Sequence, residues 1–275
     1  MPFMKSVVLP NRIRIPYVEQ GDNDGVPVVF LHGTTDSWRS FEPLLPLLPR
    51  SIHAFVPTQR GHGDADRPTS GYAPGDFATD VAAFMDAVGL DAAVIAGHSM
   101  GGSIAQRFAI DHPERTLGLV LMASFTTLRG NAGIEAFYAS ELSRLTDPVD
   151  YELAREFQVS TTARPLPAAF LNTVVQESLK VPAHVWRAAF EGLLELDVAG
   201  DLPKISAPTL ILWGDHDSVA PATQQDVLAD AIAGSQLIVY PGVGHALHWE
   251  TPDRCAADLA QFCNRIVHEN PARAA

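Results

Sequence analysis

The chain has 275 residues, enough for one large α/β domain or two small ones, and 47% of them are hydrophobic against 19% charged. That balance excludes a disordered chain, which combines low hydrophobicity with high net charge. Nineteen Lys and Arg stand against 32 Asp and Glu, a net charge of −13 that repels phosphate backbones and anionic headgroups, so neither nucleic acid nor a membrane surface is expected as a partner.

The first residues alternate in the manner of strands. They show no apolar run behind a basic start and no small-residue cleavage site, so no signal peptide is expected. Residues 7–19 predict an antiparallel hairpin at one edge of a sheet. Near-continuous apolar, β-branched runs follow at 26–33, 52–59, 93–99, 117–124, 209–215 and 236–242, the pattern of parallel strands covered on both faces. Helix-period segments lie between them at 41–48, 77–88, 102–111, 224–233 and 254–267. The alternation predicts a doubly wound α/β fold, a mostly parallel sheet with right-handed crossovers.

Residues 125–204 break the alternation. They offer only helix-compatible patches, at 134–145, 150–157, 167–179 and 184–194. A helical insert after the sixth strand lies over the strands' carboxyl ends, where open α/β sheets bind ligands. The expected organisation is a core of residues 1–124 and 206–275 with a cap of 125–205. Cys255 and Cys263 are too few for a disulfide framework and read as reduced core thiols. Uncharged stretches are interrupted by Gly, Pro and His, so no membrane span is expected and a cytoplasmic location is. Self-association into a homo-oligomer stays open.

The sharpest motif is Gly97-His98-Ser99-Met100-Gly101, directly after one predicted strand and before a predicted helix. This is G-x-S-x-G in its required strand–turn–helix setting. A turn that tight strains the serine and leaves no room for side chains two positions away, hence the glycines. The helix N-terminus adds positive potential beside the hydroxyl.

With Leu31-His32-Gly33-Thr34-Thr35, Arg60-Gly61-His62-Gly63, His112-Pro113-Glu114-Arg115, Gly214-Asp215-His216-Asp217 before Pro221, and Gly244-His245, the chain resembles the α/β-hydrolase superfamily. The likeness is to its capped single-domain branch of esterases, lactonases and carbon–carbon bond hydrolases. It implies Ser99 as nucleophile and His245 as base. Of ten histidines only His245 follows the last strand on a short Gly-flanked loop at the edge where Ser99 stands. His248 reads as a packing or surface residue, His32 as a brace of the oxyanion loop, and His62 and His98 as turn and elbow residues.

The resemblance puts the third triad member after the seventh strand, in the order Ser, Asp, His. Two acids compete there: Asp217 falls on the family's triad position, and Asp215 is expected to bond its own turn backbone. The alternative position after the sixth strand, near Ser124, has no carboxylate. The oxyanion donors implied are the backbone N–H groups of Met100 and Thr34.

Two positions depart from relatives: Thr58 and Ala65 stand where the loop after the fourth strand often carries Asp and Ser. Ala246 and His98 replace the Trp and Asn common in carbon–carbon hydrolases of ring-cleavage products, ranking that activity below ester or lactone cleavage. The clusters 62–66 and 215–217 resemble metal ligands on paper, but turn composition and the triad explain them better, so no metal is expected. No G-x-G-x-x-G opens a helix, and no cofactor is expected. Phe137, Trp186 and Phe190 in the insert, with Phe125, Leu128 and Leu247 near the core, are candidate apolar walls for a small uncharged ester or lactone, although each serves equally as core packing. The competing readings are a carbon–carbon hydrolase or cofactor-free perhydrolase on the same residues, and a ligand receptor with little turnover.

Overall fold

Strands β1 (Met4–Val8) and β2 (Arg14–Gln20) form the expected antiparallel hairpin in the structure, a computed structural model that describes residues 4–269. The hairpin joins the sheet through β2, antiparallel to β4 (Ile52–Pro57). The remaining strands, β3 (Val26–Leu31), β5 (Ala93–His98), β6 (Thr116–Met122), β7 (Thr209–Gly214) and β8 (Gln236–Tyr240), pair in parallel. The order is β1-β2-β4-β3-β5-β6-β7-β8. Every residue of β4, β5 and β6 is buried, as expected of strands covered on both faces. Burying each large aliphatic side chain contributes roughly 1.5–3 kcal/mol.

Helices α1 (Pro74–Val88) and α2 (Met100–Asp111) cover one face, and α9 (Pro252–Glu269) covers the other. Helix α7 (Ala222–Ala231) joins β7 to β8, and the short α8 (Leu247–Glu250) precedes α9. Residues 41–48 are not the expected helix. They form two 3-10 turns, Trp38–Phe41 and Leu45–Leu47, because Pro43, Pro46 and Pro49 deny the segment the amide donors a continuous helix needs. Between β6 and β7 come α3 (Ala132–Ser140), α4 (Tyr151–Ser160), α5 (Ala168–Leu179) and α6 (Ala183–Glu195). Asn131 and Asp150 cap the first two of these by accepting from Ile134 N and from Glu152 N and Leu153 N. No described helix is long and apolar enough to cross a membrane.

The chain runs from β3 to β4 on one side and from β5 onward on the other. The crevice between the carboxyl ends of β3 and β5 is therefore the switch point at which this architecture places ligands.

Candidate active site

Ser99 stands between β5 and α2 with φ 54 and ψ −118, a left-handed conformation that a non-glycine residue adopts only under constraint. The constraint is steric on both sides. A Cβ on Gly97 would lie 2.1 Å from the Gly101 carbonyl oxygen, and one on Gly101 would lie 2.0 Å from that of Leu31. Ser99 N–H donates to Met122 O at 3.0 Å, tying the turn to the end of β6. Met100 then opens α2, so its amide belongs to the free N–H groups of a helix start.

His245 Nδ1 donates to Asp217 Oδ2 at 2.8 Å, with both side chains almost wholly buried. Nδ1 therefore carries the proton and Nε2 is left as the basic nitrogen. The other Asp217 oxygen, Oδ1, accepts from Val219 N at 2.8 Å and Ala220 N at 2.9 Å, so the carboxylate is fixed by its own turn before it meets the imidazole. That turn bond is the one expected of Asp215. Asp215 instead accepts from Gly242 N at 2.6 Å, joining the end of β7 to the loop that carries His245. The loop is held further by Gly244 N donating to Glu250 Oε1 and by Ala246 N donating to Thr161 O, each at 2.9 Å.

The loop after β3 is braced from below. Gln59 N–H donates to His32 Nε2 at 3.0 Å, so the His32 proton sits on Nδ1 and goes to Gly33 O at 2.9 Å. Burial, with His62 nearby, lowers His32 well below the ordinary range and keeps it neutral. His98 is likewise buried and lowered, by desolvation and then by His248 and His245. Its Nε2 donates to His245 O at 3.1 Å. His248 is a packing residue, 4.3 Å from the His98 ring, with burial pushing it down to about 3. Arg60 of the R-G-H-G loop forms a buried two-pronged pair with Asp80 at 2.6 Å in each bond, and His62 gives its Nδ1 proton to Arg60 O. Asp64 pairs with Lys180, and Asp66 accepts from Arg14 N, which accounts for that acidic turn.

Ser99, His245 and Thr34 line one cavity of about 710 Å³. Phe125, Leu128, Phe137 and Phe190 line it too. Trp186 does not: it is fully buried behind Phe157, whose ring it meets at 5.2 Å and which takes the place at the wall. Leu247 does not either. The chain turns after His245, and Leu247 enters the core on the opposite face, among residues such as Leu212 and Val120. Glu141, Asp150, Glu152 and Glu156 also stand on the cavity lining, and among the described residues no Lys or Arg does.

Asp36 also lines this cavity, at 3% exposure, and the sequence reading passed it over. Burial raises its carboxyl to about 7, opposed by hydrogen bonds from Gln158 and Ser40 and by His245. No spacing signals it. Its partner Gln158 lies on α4 inside the insert, 122 positions away. A buried carboxyl with a strongly displaced pKa beside a candidate nucleophile marks a functional region.

Residues 26–252 match the family model described as alpha/beta hydrolase fold. The AB hydrolase superfamily protein YisY of Bacillus subtilis is 30% identical over 256 residues, 87% of this chain and 92% of that protein. The 2-hydroxymuconate semialdehyde hydrolase of a Pseudomonas species is 29% identical over 255 residues, 86% of this chain and 87% of that one. Among solved structures, Est816, described as an N-acyl homoserine lactone degrading enzyme, superposes with a TM-score of 0.78 at 29% identity, covering 94% of this chain and all of that one.

Proposed function

The chain belongs to the alpha/beta hydrolase fold family, and from that premise we propose that it is a serine hydrolase cleaving small uncharged carboxylic esters or lactones through an acyl-enzyme. The single observation that carries the reading is the 2.8 Å Asp217–His245 hydrogen bond, which orients an imidazole on the wall of the cavity that Ser99 also lines from a left-handed turn between a strand and a helix. His245 Nε2 takes the Ser99 proton as Oγ attacks the carbonyl carbon. The tetrahedral oxyanion lies against the amides of Thr34 and Met100. His245 then returns the proton to the leaving alcohol, whose C–O bond breaks. Water, deprotonated by the same imidazole, attacks the acyl-enzyme and frees the acid and Ser99. Asp217 holds the tautomer and stabilises the imidazolium. Residues 125–205 serve as the cap that shields this sequence from bulk water.

The preference for uncharged substrates follows from the walls. Aromatic and aliphatic side chains face the cavity, and the charged groups on its lining are all carboxylates. A substrate carrying its own carboxylate would meet repulsion with no Lys or Arg among the described lining residues to offset it, which ranks carbon–carbon cleavage of an anionic ring-cleavage product second. The same charges favour departure of the carboxylate product of ester hydrolysis.

The test is a panel of acyl p-nitrophenyl esters, lactones and vinylogous diketones, run with the parent and with Ser99→Ala, and organophosphate labelling read by mass. Steady turnover of the uncharged esters or lactones, a loss of several orders of magnitude in Ser99→Ala, and label on Ser99 alone are expected. Label on another serine, or an active alanine variant, refutes the reading. One turnover followed by a tightly held ligand would favour a receptor.

A further inference from the structure

Asp36 takes no part in the reaction as written, yet it stands on the wall of the same cavity two residues beyond Thr34. Each of its oxygens receives a committed donor. Gln158 Nε2, from α4, donates to Oδ1 at 3.0 Å and reaches Ser178 Oγ on α5 at 2.8 Å and Thr35 Oγ1 at 3.3 Å. Ser40 Oγ donates to Oδ2 at 3.1 Å. That hydroxyl accepts from His248 Nε2 at 3.0 Å and, at 3.2 Å, takes the longer share of the Trp249 indole N–H, which donates chiefly to Ser40 O at 2.8 Å. His248 Nδ1 is buried with no partner, and a bare acceptor there costs less than a stranded N–H, so the imidazole proton is on Nε2. The Ser40 proton is then free only for Asp36.

The segment between Thr34 and Asp36 needs such a hold. Thr35 has φ 69, a left-handed conformation that a β-branched residue keeps only when its surroundings impose it. Its hydroxyl is 3.1 Å from Ser178 Oγ, in the same buried network.

We propose that Asp36 is a positioning residue: its carboxylate, gripped by Gln158 and Ser40, clamps the loop carrying the Thr34 N–H against α4 and so couples the seating of the helical insert to the oxyanion site. This rests on the reading of Thr34 as an oxyanion donor given above. The clamp is complete only while Asp36 is ionised, because a protonated oxygen turns an O–H against a donor and one bond is lost. Burial opposes ionisation, and Glu177 on α5, flanked by Arg39 and Lys180, adds to it. His245 opposes both. The neutral His98 faces Asp36 around Gly33, and the neutral His248 reaches it through Ser40. The balance puts the change near pH 7, so the clamp weakens as the pH falls through about 7.

Asp36→Asn, Gln158→Glu, the double variant D36N/Q158E and Ser99→Ala are compared by kcat, KM, pH profile and melting temperature on one neutral p-nitrophenyl ester. Each single clamp variant should lower kcat about 10–100-fold with little change in KM, since the donor it displaces acts in the transition state. The double variant, in which the introduced amide donates to the introduced carboxylate, should recover about tenfold of the loss. Asp36→Asn should melt no lower than the parent at pH 8, where a residue that only supports the fold would lose stability along with activity. The kcat advantage of the parent over Asp36→Asn should be full at pH 8 and shrink as the pH falls through about 7, where the parent's Asp36 loses its charge. Asp36→Asn with kcat within threefold of the parent at pH 8, no recovery in the double variant, or a parent-to-variant kcat ratio that is equal at pH 8 and pH 5.5 overturns the clamp. Those results alongside an inactive Ser99→Ala leave the serine hydrolase reading standing, whereas an active Ser99→Ala overturns both.

Discussion

Asp217→Asn exchanges one atom of the group that orients His245. The carboxylate makes three hydrogen bonds, and the substitution treats them differently. Oδ1 keeps the Val219 and Ala220 amides at 2.8 and 2.9 Å, because an amide oxygen accepts as a carboxylate oxygen does. That choice turns the new NH2 toward His245 Nδ1, now 2.8 Å from Oδ2. Two donors cannot share the bond, so the imidazole moves its proton to Nε2 and can no longer accept one from Ser99. The wrong tautomer costs about 10⁴ in kcat, or about 5 kcal/mol of barrier. With two of three bonds kept, the melting temperature should stay within a few degrees of the parent. Asp215→Asn predicts the reverse. It weakens one bond, to Gly242 N, from a side chain 39% exposed, which costs about 1 kcal/mol and leaves the chemistry nearly intact. Steady-state kinetics on an ester and a thermal melt, run on both variants, decide between them. An Asp217→Asn enzyme within tenfold of the parent, or a larger kcat loss in Asp215→Asn at unchanged stability, refutes the assignment of the acid.

Gly101→Ala should fail to accumulate as folded protein or melt far lower, since its Cβ would stand 2.0 Å from a backbone oxygen that cannot yield; soluble yield and a melt check this. Asp36 binds a proton more readily folded, near pH 7, than unfolded, at its ordinary 3.8, so its contribution to stability falls as pH rises from about 4 to about 7. The melting-temperature difference between Asp36→Asn and the parent should therefore be more favourable at pH 8 than at pH 5, and an equal difference at both counts against a buried charge there. The buried imidazoles act oppositely: His62 is lowered to about 4 and His248 to about 3, so their share of stability is lost below about pH 6.5. Cys255 and Cys263 are buried, with burial raising both thiols to about 12, so a thiol reagent should label neither until the chain is unfolded by denaturant.

Wherever the governing physics acts over a few residues, the amino-acid order was sufficient. Unbroken apolar runs announced the buried parallel strands, and alternation announced the edge hairpin, because strand burial is written in a period of one or two residues. Gly97 announced the strained turn at Ser99, because the clash it avoids is with the Gly101 carbonyl inside that turn, whereas the clash Gly101 avoids is with Leu31 on the neighbouring strand β3, which only the assembled sheet brings there. Even here a local rule was misread at 41–48, where the recurring prolines outweighed the apolar period.

Contact between distant elements belonged to the tertiary structure alone. Trp186 and Phe190 are one helical turn apart on α6 and equally apolar. Only the position of Phe157, from another helix, puts one behind the wall and the other on it. Leu247 and His245 are two residues apart and end on opposite sides of a chain reversal, in different layers. Asp36 and Gln158 are unremarkable polar residues in sequence. Their meeting in a buried network, and the displaced pKa that goes with it, depends on desolvation, which is a property of what packs around a group rather than of the group or its neighbours in the chain.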